Sequence, residues 1–192
     1  MRNEIEILTN NYNKNLAIGI LGEGNLVSLI SEQLLNSRYS LNILDSQKIE
    51  NIEGSVFYFN SIRSLISASK IVITIAADGP ELERLLFDDE GISNSSLGGR
   101  VIIDMSPVSP EFIQEISEQL IEKDISFLDA AIINEQKDQS GALQMLLVGG
   151  EKSVYEKTLP IFQSISKSVK YLGANGASQF YRQAFGVRKK LS

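Results

Sequence analysis

The residues best placed for chemistry are two glycines, the start of a helix and an acid. Gly22 and Gly24 follow the apolar run Leu16–Leu21, and a second apolar run, Tyr39–Leu44, ends on Asp45. Glycines let a backbone turn tightly and approach a ligand closely. Free N–H groups at a helix start bind a diphosphate, and a carboxylate ~20 residues further on accepts hydrogen bonds from ribose hydroxyls. The pattern therefore predicts a dinucleotide-binding βαβ unit.

The helix between these two runs is indicated by the spacing of its apolar residues. Leu26, Ile30 and Leu34 recur at every fourth position, which gives the helix one apolar face. Val27 replaces the third glycine of the usual Gly-x-Gly-x-x-Gly motif, so the motif is incomplete. An ordinary strand, turn and helix of an α/β domain remains the alternative interpretation of this stretch.

Strand-like and helix-like patterns alternate along most of the chain. Apolar runs typical of strands lie at 56–59, 70–76, 100–104, 126–129, 144–148 and 169–172. Helical patterns separate most of them; one begins at Ser109-Pro110-Glu111, with a hydroxyl cap and a proline in the first turn. This alternation predicts an α/β fold, a Rossmann-type doubly wound and mostly parallel sheet with extra C-terminal strands.

The chain divides into three expected segments. Residues 1–15 are polar and rich in asparagine, which predicts a flexible N-terminal arm. Residues 16–176 form the predicted dinucleotide-binding domain, and residues 177–192 begin a C-terminal helix. Apolar side chains crowd that last segment and predict self-association, for example as a homo-oligomer, or binding of a partner. These side chains are Phe180, Tyr181, Phe185 and Val187.

Composition excludes several kinds of site. The chain has no cysteine and no histidine, which excludes disulfides, thiolate nucleophiles, zinc sites built on these ligands and proton transfer by histidine. The net charge is −6, and basic residues cluster only at Arg188-Lys189-Lys190, which argues against nucleic-acid binding. No apolar run approaches the ~20 residues of a membrane span, and the acidic N-terminus is unlike a signal peptide. We therefore expect a cytoplasmic protein without a metal site or a membrane partner.

Several short motifs then occur in a consistent order along the chain. They are Ile18–Gly24, Asp104–Pro110, Leu128–Ala130, Val148–Gly150, Pro160 and Gly173–Gly176. In this order the motifs make the chain resemble the β-hydroxyacid dehydrogenases from Leu16 to Arg182. That family includes 3-hydroxyisobutyrate dehydrogenase and, more distantly, 6-phosphogluconate dehydrogenase and the imine reductases.

The resemblance implies a nicotinamide cofactor and hydride transfer to or from a small hydroxy acid. It places cofactor contacts at Gly22, Gly24, Asn25, Leu26, Asp45, Ala76, Ala77 and Ser106. An acid at the end of the second strand favours NAD over NADP, because a carboxylate accepts from the ribose hydroxyls and repels a 2′-phosphate.

The sequence departs from the family at the substrate and catalytic positions. The family's substrate-binding Ser-Gly-Gly falls on Ile133-Asn134-Glu135, its catalytic lysine on Arg182, and a later asparagine on Gly186. Arginine stays charged and cannot pass a proton, although its fork of donors can hold a carboxylate. Ile133 removes a hydroxyl, and Glu135 adds a charge that repels an acidic substrate.

Two classes of function stay open on these residues. The combined loss of these groups favours a dinucleotide-binding domain that is catalytically impaired on hydroxy acids. The alternative is an active oxidoreductase with an altered substrate, such as an imine or another small carbonyl compound. A surface position without a role is an equally good interpretation of Arg182. By the resemblance, we also expect the helical second domain that completes the family's active site to be absent from this chain.

Overall fold

The structure, a computed structural model, describes residues 17–47, 54–88, 91, 98–137 and 142–185, without the side chains of 47 and 134–137. Several sequence expectations lie outside the described residues. They are the N-terminal arm at 1–15, Gly186, Val187 and the basic cluster Arg188-Lys189-Lys190.

Strands and helices alternate along the described chain. The strands are β1 (Ala17–Gly22), β2 (Ser40–Leu44), β3 (Val56–Phe59), β4 (Ile71–Ile75), β5 (Arg100–Asp104), β6 (Ile125–Lys137), β7 (Leu143–Gly150) and β8 (Val169–Gly173). The helices are α1 (Asn25–Asn36), α2 (Ile62–Ser67), α3 (Gly79–Phe87), α4 (Pro110–Ile121), α5 (Lys152–Ile165) and α6 (Ala177–Phe185).

All eight described strands form one sheet, in the order β3-β2-β1-β4-β5-β6-β7-β8. Neighbouring strands run parallel except β6 and β7, which pair antiparallel. The strand order reverses between β1 and β4, the position at which doubly wound sheets bind ligands. The predicted Rossmann-type sheet with additional C-terminal strands is confirmed.

Apolar side chains cover both faces of the sheet. On one face, Ile30 and Leu34 of α1 and Phe162 of α5 pack in one buried cluster. On the other face, the buried residues of α2, α3 and α4 form a second cluster that includes Leu82 and Ile113. Strands covered on both faces read as continuous apolar runs, which explains why β4, Ile71–Ile75, is buried along its whole length.

Strand β6 is much longer than the run at 126–129 suggests. It continues to Lys137, and Ile133 pairs with Met145 of β7. The register shifts after Ile133, and antiparallel pairing with β7 resumes at Lys137, which pairs with Leu143. The positions of the family's substrate motif therefore lie on a strand in this chain.

Side-chain caps begin three of the helices. Ser61, Asp78 and Ser109 accept hydrogen bonds from main-chain amides in the first turns of α2, α3 and α4. The cap predicted at Ser109 is thereby confirmed. Among the described helices, none combines the length and the apolar character that a crossing of the bilayer requires.

Candidate functional site

A cavity of about 370 Å³ lies at the carboxyl ends of the central strands. It begins at the start of α1, passes the ends of β4 and β5, and reaches β6 and α6. Its lining residues are Glu23, Asn25, Leu26, Ile75, Ala76, Ala77, Glu81, Met105, Ser106, Pro107, Ala131, Ile132, Gln179 and Arg182. Its place at the β1–β4 switch point and its size are typical of a ligand site.

The turn between β1 and α1 requires glycine at Gly22. Its φ is +147°, and a Cβ there would stand 2.2 Å from the carbonyl oxygen of Ile75. Gly24, with φ +95°, precedes α1, and no side chain caps the helix. The first turn of α1 also carries no acid. Open amides at a helix start bind anionic groups, so this turn fits the diphosphate of a dinucleotide.

Two other residues of the predicted βαβ unit lie away from the cavity. Asp45 is exposed directly after β2, the neighbour of β1 in the sheet. Val27, at the third glycine position of the motif, is buried in the cluster beneath α1. Asp45 therefore lies on the β2 side of the turn, away from the cavity.

A buried carboxylate, Asp104, organises the loop after β5. It accepts hydrogen bonds from the Thr74 hydroxyl at 2.9 Å and the Ser106 hydroxyl at 2.6 Å. Ser106 Oγ also accepts from the amide of Ala76 at 2.8 Å. Burial raises the pKa of Asp104 to about 6, and these hydrogen bonds oppose the rise. The network joins the ends of β4 and β5 at the floor of the cavity.

A second buried carboxylate, Asp129, holds the start of α6. It pairs in register with Asp104 on the neighbouring strand. It accepts from the amide of Gly176 at 2.9 Å, from Asn175 Nδ2 at 3.2 Å and from the hydroxyl of Ser178. Asp129 thus fixes the position from which α6 reaches the cavity.

Two side chains of α6 face the cavity and are tied to the loop after β5. Gln179 Nε2 donates to the carbonyl of Ser106 at 3.1 Å, and Arg182 Nη2 donates to the carbonyl of Val108 at 3.2 Å. Burial lowers the pKa of Arg182, while the nearby Asp104 charge acts in the opposite direction. A guanidinium remains charged in such a setting, so Arg182 supplies a fixed positive charge to the cavity.

The structure brings most of the sequence-predicted site residues together. Six of them line the one cavity: Asn25, Leu26, Ala76, Ala77, Ser106 and Arg182. Gly22 and Gly24 form the adjoining turn, and Asp45 lies beyond it. Ile133 is outside the cavity lining, although Ala131 and Ile132 belong to it. The roles assigned to all these residues stay predictions.

Sequence reasoning missed four residues that shape the site. Asp104 and Asp129 end apolar runs on neighbouring strands, a signal that was visible in the sequence. Gln179 lies one helical turn before Arg182, on the same helix face. Glu81 lines the cavity and accepts from the amide of Ala77 at 2.7 Å; its place three residues after the capping Asp78, the spacing of a capping box, was a signal visible in the sequence.

Comparison with known proteins identifies the domain. A family model, the NAD binding domain of 6-phosphogluconate dehydrogenase, matches residues 17–173. The 2-hydroxy-3-oxopropionate reductase of Escherichia coli is 25% identical over 166 residues, covering 85% of this chain and 57% of the relative. The 3-hydroxyisobutyrate dehydrogenase of Pseudomonas aeruginosa is 23% identical over 165 residues, covering 84% and 55%. The chain spans little more than half the length of these curated relatives.

Solved structures share the fold. The imine reductase of Myxococcus stipitatus with NADP+ has a TM-score of 0.76 at 19% identity, covering 88% of this chain and 59% of that one. The 3-hydroxyisobutyrate dehydrogenase of Mycobacterium tuberculosis has a TM-score of 0.74 at 18% identity, covering 88% and 58%. Because the family model covers most of the chain, the chain belongs to the β-hydroxyacid dehydrogenase family, in which the matched residues correspond to the NAD(P)-binding domain.

Proposed function

We propose that this chain binds NAD in preference to NADP, across the carboxyl ends of β2, β1, β4 and β5. The observation that carries the proposal is the start of α1. There Gly22 fits only as glycine beside the Ile75 carbonyl, and the first turn of the helix is left without a side-chain cap. This turn opens into the cavity, so the diphosphate and the nicotinamide half of one ligand have adjoining places.

Asp45 is the basis of the proposed preference for NAD. Its exposed carboxylate follows β2 and can accept hydrogen bonds from both hydroxyls of an adenosine ribose. The same carboxylate repels the 2′-phosphate of NADP. Glu23, another carboxylate, lines the cavity close to the diphosphate turn and opposes binding of either dinucleotide. We therefore expect both dinucleotides to bind weakly, and NAD to bind more tightly than NADP.

Calorimetric titration with NAD and NADP tests this proposal. Asp45→Ala removes a charged hydrogen-bond acceptor and should weaken NAD binding about tenfold. The difference between the affinities for NAD and NADP should become smaller. Glu118→Ala, which removes an exposed carboxylate on α4, is the matched control and should leave both affinities unchanged. Tighter binding of NADP than of NAD, or unchanged NAD affinity in Asp45→Ala, would contradict the proposal.

We further propose that the domain is impaired in the oxidation of hydroxy acids. A bound nicotinamide supplies the hydride chemistry, and the protein must supply a group that exchanges the proton. Arg182 occupies the family's lysine position, lines the cavity and is held by the Val108 carbonyl. An arginine can position an anion there but cannot serve as the acid or base.

A second candidate function is reduction of an imine or another small carbonyl compound. The charged groups lining the cavity are the carboxylates of Glu23 and Glu81 and the guanidinium of Arg182. The excess of carboxylates disfavours an acidic substrate and suits a neutral or cationic one. NADH formation with hydroxy acids, measured beside NADH consumption with a small cyclic imine, separates the two candidates.

A further inference from the structure

Two buried polar atoms without a partner belong to residues of α6 that line the cavity. Among the described residues, three buried side-chain polar atoms lack a hydrogen-bond partner: Ser31 Oγ, Gln179 Oε1 and Arg182 Nε. Two of the three belong to residues that line the same cavity. Buried polar groups are normally hydrogen-bonded, and an exception in a ligand-sized cavity indicates a missing partner.

The orientation of each of these side chains is fixed by its other hydrogen bond. Gln179 is fully buried, and its Nε2 donates to the Ser106 carbonyl. Because a carbonyl can only accept, the amide nitrogen must face the loop, and Oε1 is the atom left over. Arg182 Nη2 donates to the Val108 carbonyl, which anchors the planar guanidinium and leaves Nε without a partner. The residues that line this end of the cavity thus carry one free acceptor and one free donor, both buried.

We propose that Gln179 and Arg182 bind the carboxamide of the nicotinamide ring and select for that group. A carboxamide offers one donor, its NH₂, for Gln179 Oε1 and one acceptor, its oxygen, for Arg182 Nε. A carboxylate offers only acceptors and would meet the oxygen of Gln179 unfavourably. An acetyl group lacks the donor and would leave Gln179 Oε1 unpaired. This inference rests on the proposed binding of NAD.

The rest of the cavity agrees with this assignment. A diphosphate at the start of α1 leaves the far end of the cavity, at β6 and α6, for the nicotinamide half. Met105, Ala131 and Ile132 provide apolar wall there, which suits a flat ring. The arrangement gives Arg182 a binding role that needs no proton transfer.

Calorimetric titration of the 192-residue chain with NAD and its analogues tests the proposal. 3-Acetylpyridine adenine dinucleotide replaces the NH₂ by CH₃, and nicotinic acid adenine dinucleotide replaces the carboxamide by a carboxylate. We expect NAD to bind about tenfold more tightly than either, the usual effect of an unpaired buried polar group. ADP-ribose, which lacks the ring, should also bind more weakly than NAD.

Substitution at Gln179 gives the second measurement. Gln179→Met keeps the length of the side chain and removes its amide, so the ratio of NAD to acetylpyridine affinity should fall close to one. Gln163→Met, on the exposed side of α5, is the matched control and should keep the ratio. If Gln179→Met does not fold by circular dichroism, the ratios measured on the unmodified chain decide.

The outcomes separate this inference from the proposed function. Equal affinities for NAD and the acetylpyridine analogue, or an unchanged ratio in folded Gln179→Met, overturn the role of the pair while NAD binding stands. Equal affinities for NAD and ADP-ribose do the same. If neither NAD nor ADP-ribose binds the folded chain, the proposed function fails and the inference fails with it.

Discussion

Arg182 carries a charge that no ordinary pH removes, at the position to which the resemblance assigns the family's catalytic lysine. We expect no useful oxidation of 3-hydroxyisobutyrate or glycerate by this chain, since general acid–base help alone is worth ~10²–10⁴ in rate. Arg182→Lys should not recover turnover, because Ile133-Asn134-Glu135 still lacks the hydroxyl and the small residues of the substrate cradle. NADH formation over a panel of hydroxy acids measures this.

One result of the same panel would contradict this expectation, and another would favour the second candidate function. Turnover on the order of 1–10³ s⁻¹, abolished in Arg182→Ala, would mean that the arginine takes part in the chemistry. Consumption of NADH with a small cyclic imine, in the absence of any hydroxy-acid activity, would favour the imine-reducing function.

Asp104 makes the stability of the fold depend on pH. Its pKa is raised from 3.8 to about 6 by burial, so the folded chain holds a proton that the unfolded chain has lost in that range. The contribution of this proton to the free energy of unfolding is fully present below pH ~4 and is lost as the pH rises through ~6. It amounts to roughly 3 kcal/mol at most. The side chain in Asp104→Asn cannot ionise, so the variant should not show this decrease in the free energy of unfolding.

Urea unfolding between pH 4 and 7 measures the effect as a difference between proteins. Other carboxyl groups also titrate, so the free energy of unfolding of the unmodified chain is compared with that of Asp104→Asn at each pH. The free energy of unfolding of Asp104→Asn should increase relative to that of the unmodified chain as the pH rises. Glu118→Gln, at an exposed site, is the control. Parallel curves for Asp104→Asn and the unmodified chain would contradict the assignment.

At the scale of elements, the sequence predicted those whose pattern is local. The glycine turn, the Ser109 cap and the apolar run of β4 follow from neighbouring residues, and each appears where it was expected. The extension of β6 was not predicted, because its reason is pairing with β7 and not its own polar residues. Gln179 was missed for the same kind of reason, since its partner Ser106 lies 73 residues earlier.

Helix α6 presents an aromatic surface to solvent. Phe180, Tyr181 and Phe185 are 65%, 40% and 56% exposed, and the rings of Tyr181 and Phe185 lie 4.7 Å apart between centroids. Exposed apolar patches of this kind mark association sites, so we expect the chain to self-associate through α6. Sedimentation velocity over a range of concentrations should show a rising sedimentation coefficient.

Substitutions distinguish association through this surface of α6 from nonspecific association. Phe180→Ser combined with Phe185→Ser should restore a constant sedimentation coefficient. Phe57→Ser removes a similarly exposed ring, 54%, from the edge strand β3 and should change nothing. A monomer at every concentration, or an equal effect of the Phe57 change, would argue against association through α6.

For the molecule as a whole, one sheet couples the two cores and the ligand site. The buried clusters lie on opposite faces of the same strands, so we expect described parts of the chain to unfold together. A ligand at 100 times its Kd then stabilises the whole by roughly 2.7 kcal/mol. At about 2–4 °C per kcal/mol for a chain of this size, NAD should raise the Tm by roughly 5–10 °C.

Calorimetric melting with and without NAD checks this coupling. NADP at the same concentration should give a smaller shift, and Asp45→Ala should reduce the shift produced by NAD. A Tm that does not respond to NAD at concentrations far above the Kd would contradict the expected coupling between ligand binding and unfolding of the sheet.

The hydrogen bonds from α6 to the loop after β5 also set an order of events during synthesis. Ser106 and Val108 leave the ribosome 73 and 74 residues before their partners Gln179 and Arg182. The strands of the βαβ unit, the glycine turn and Asp45 are all made long before that. If NAD binds as proposed, the residues for its adenosine half are synthesised early, and the wall around its nicotinamide is complete only when α6 docks. Recognition of the complete cofactor would then distinguish a finished fold from a partly folded one.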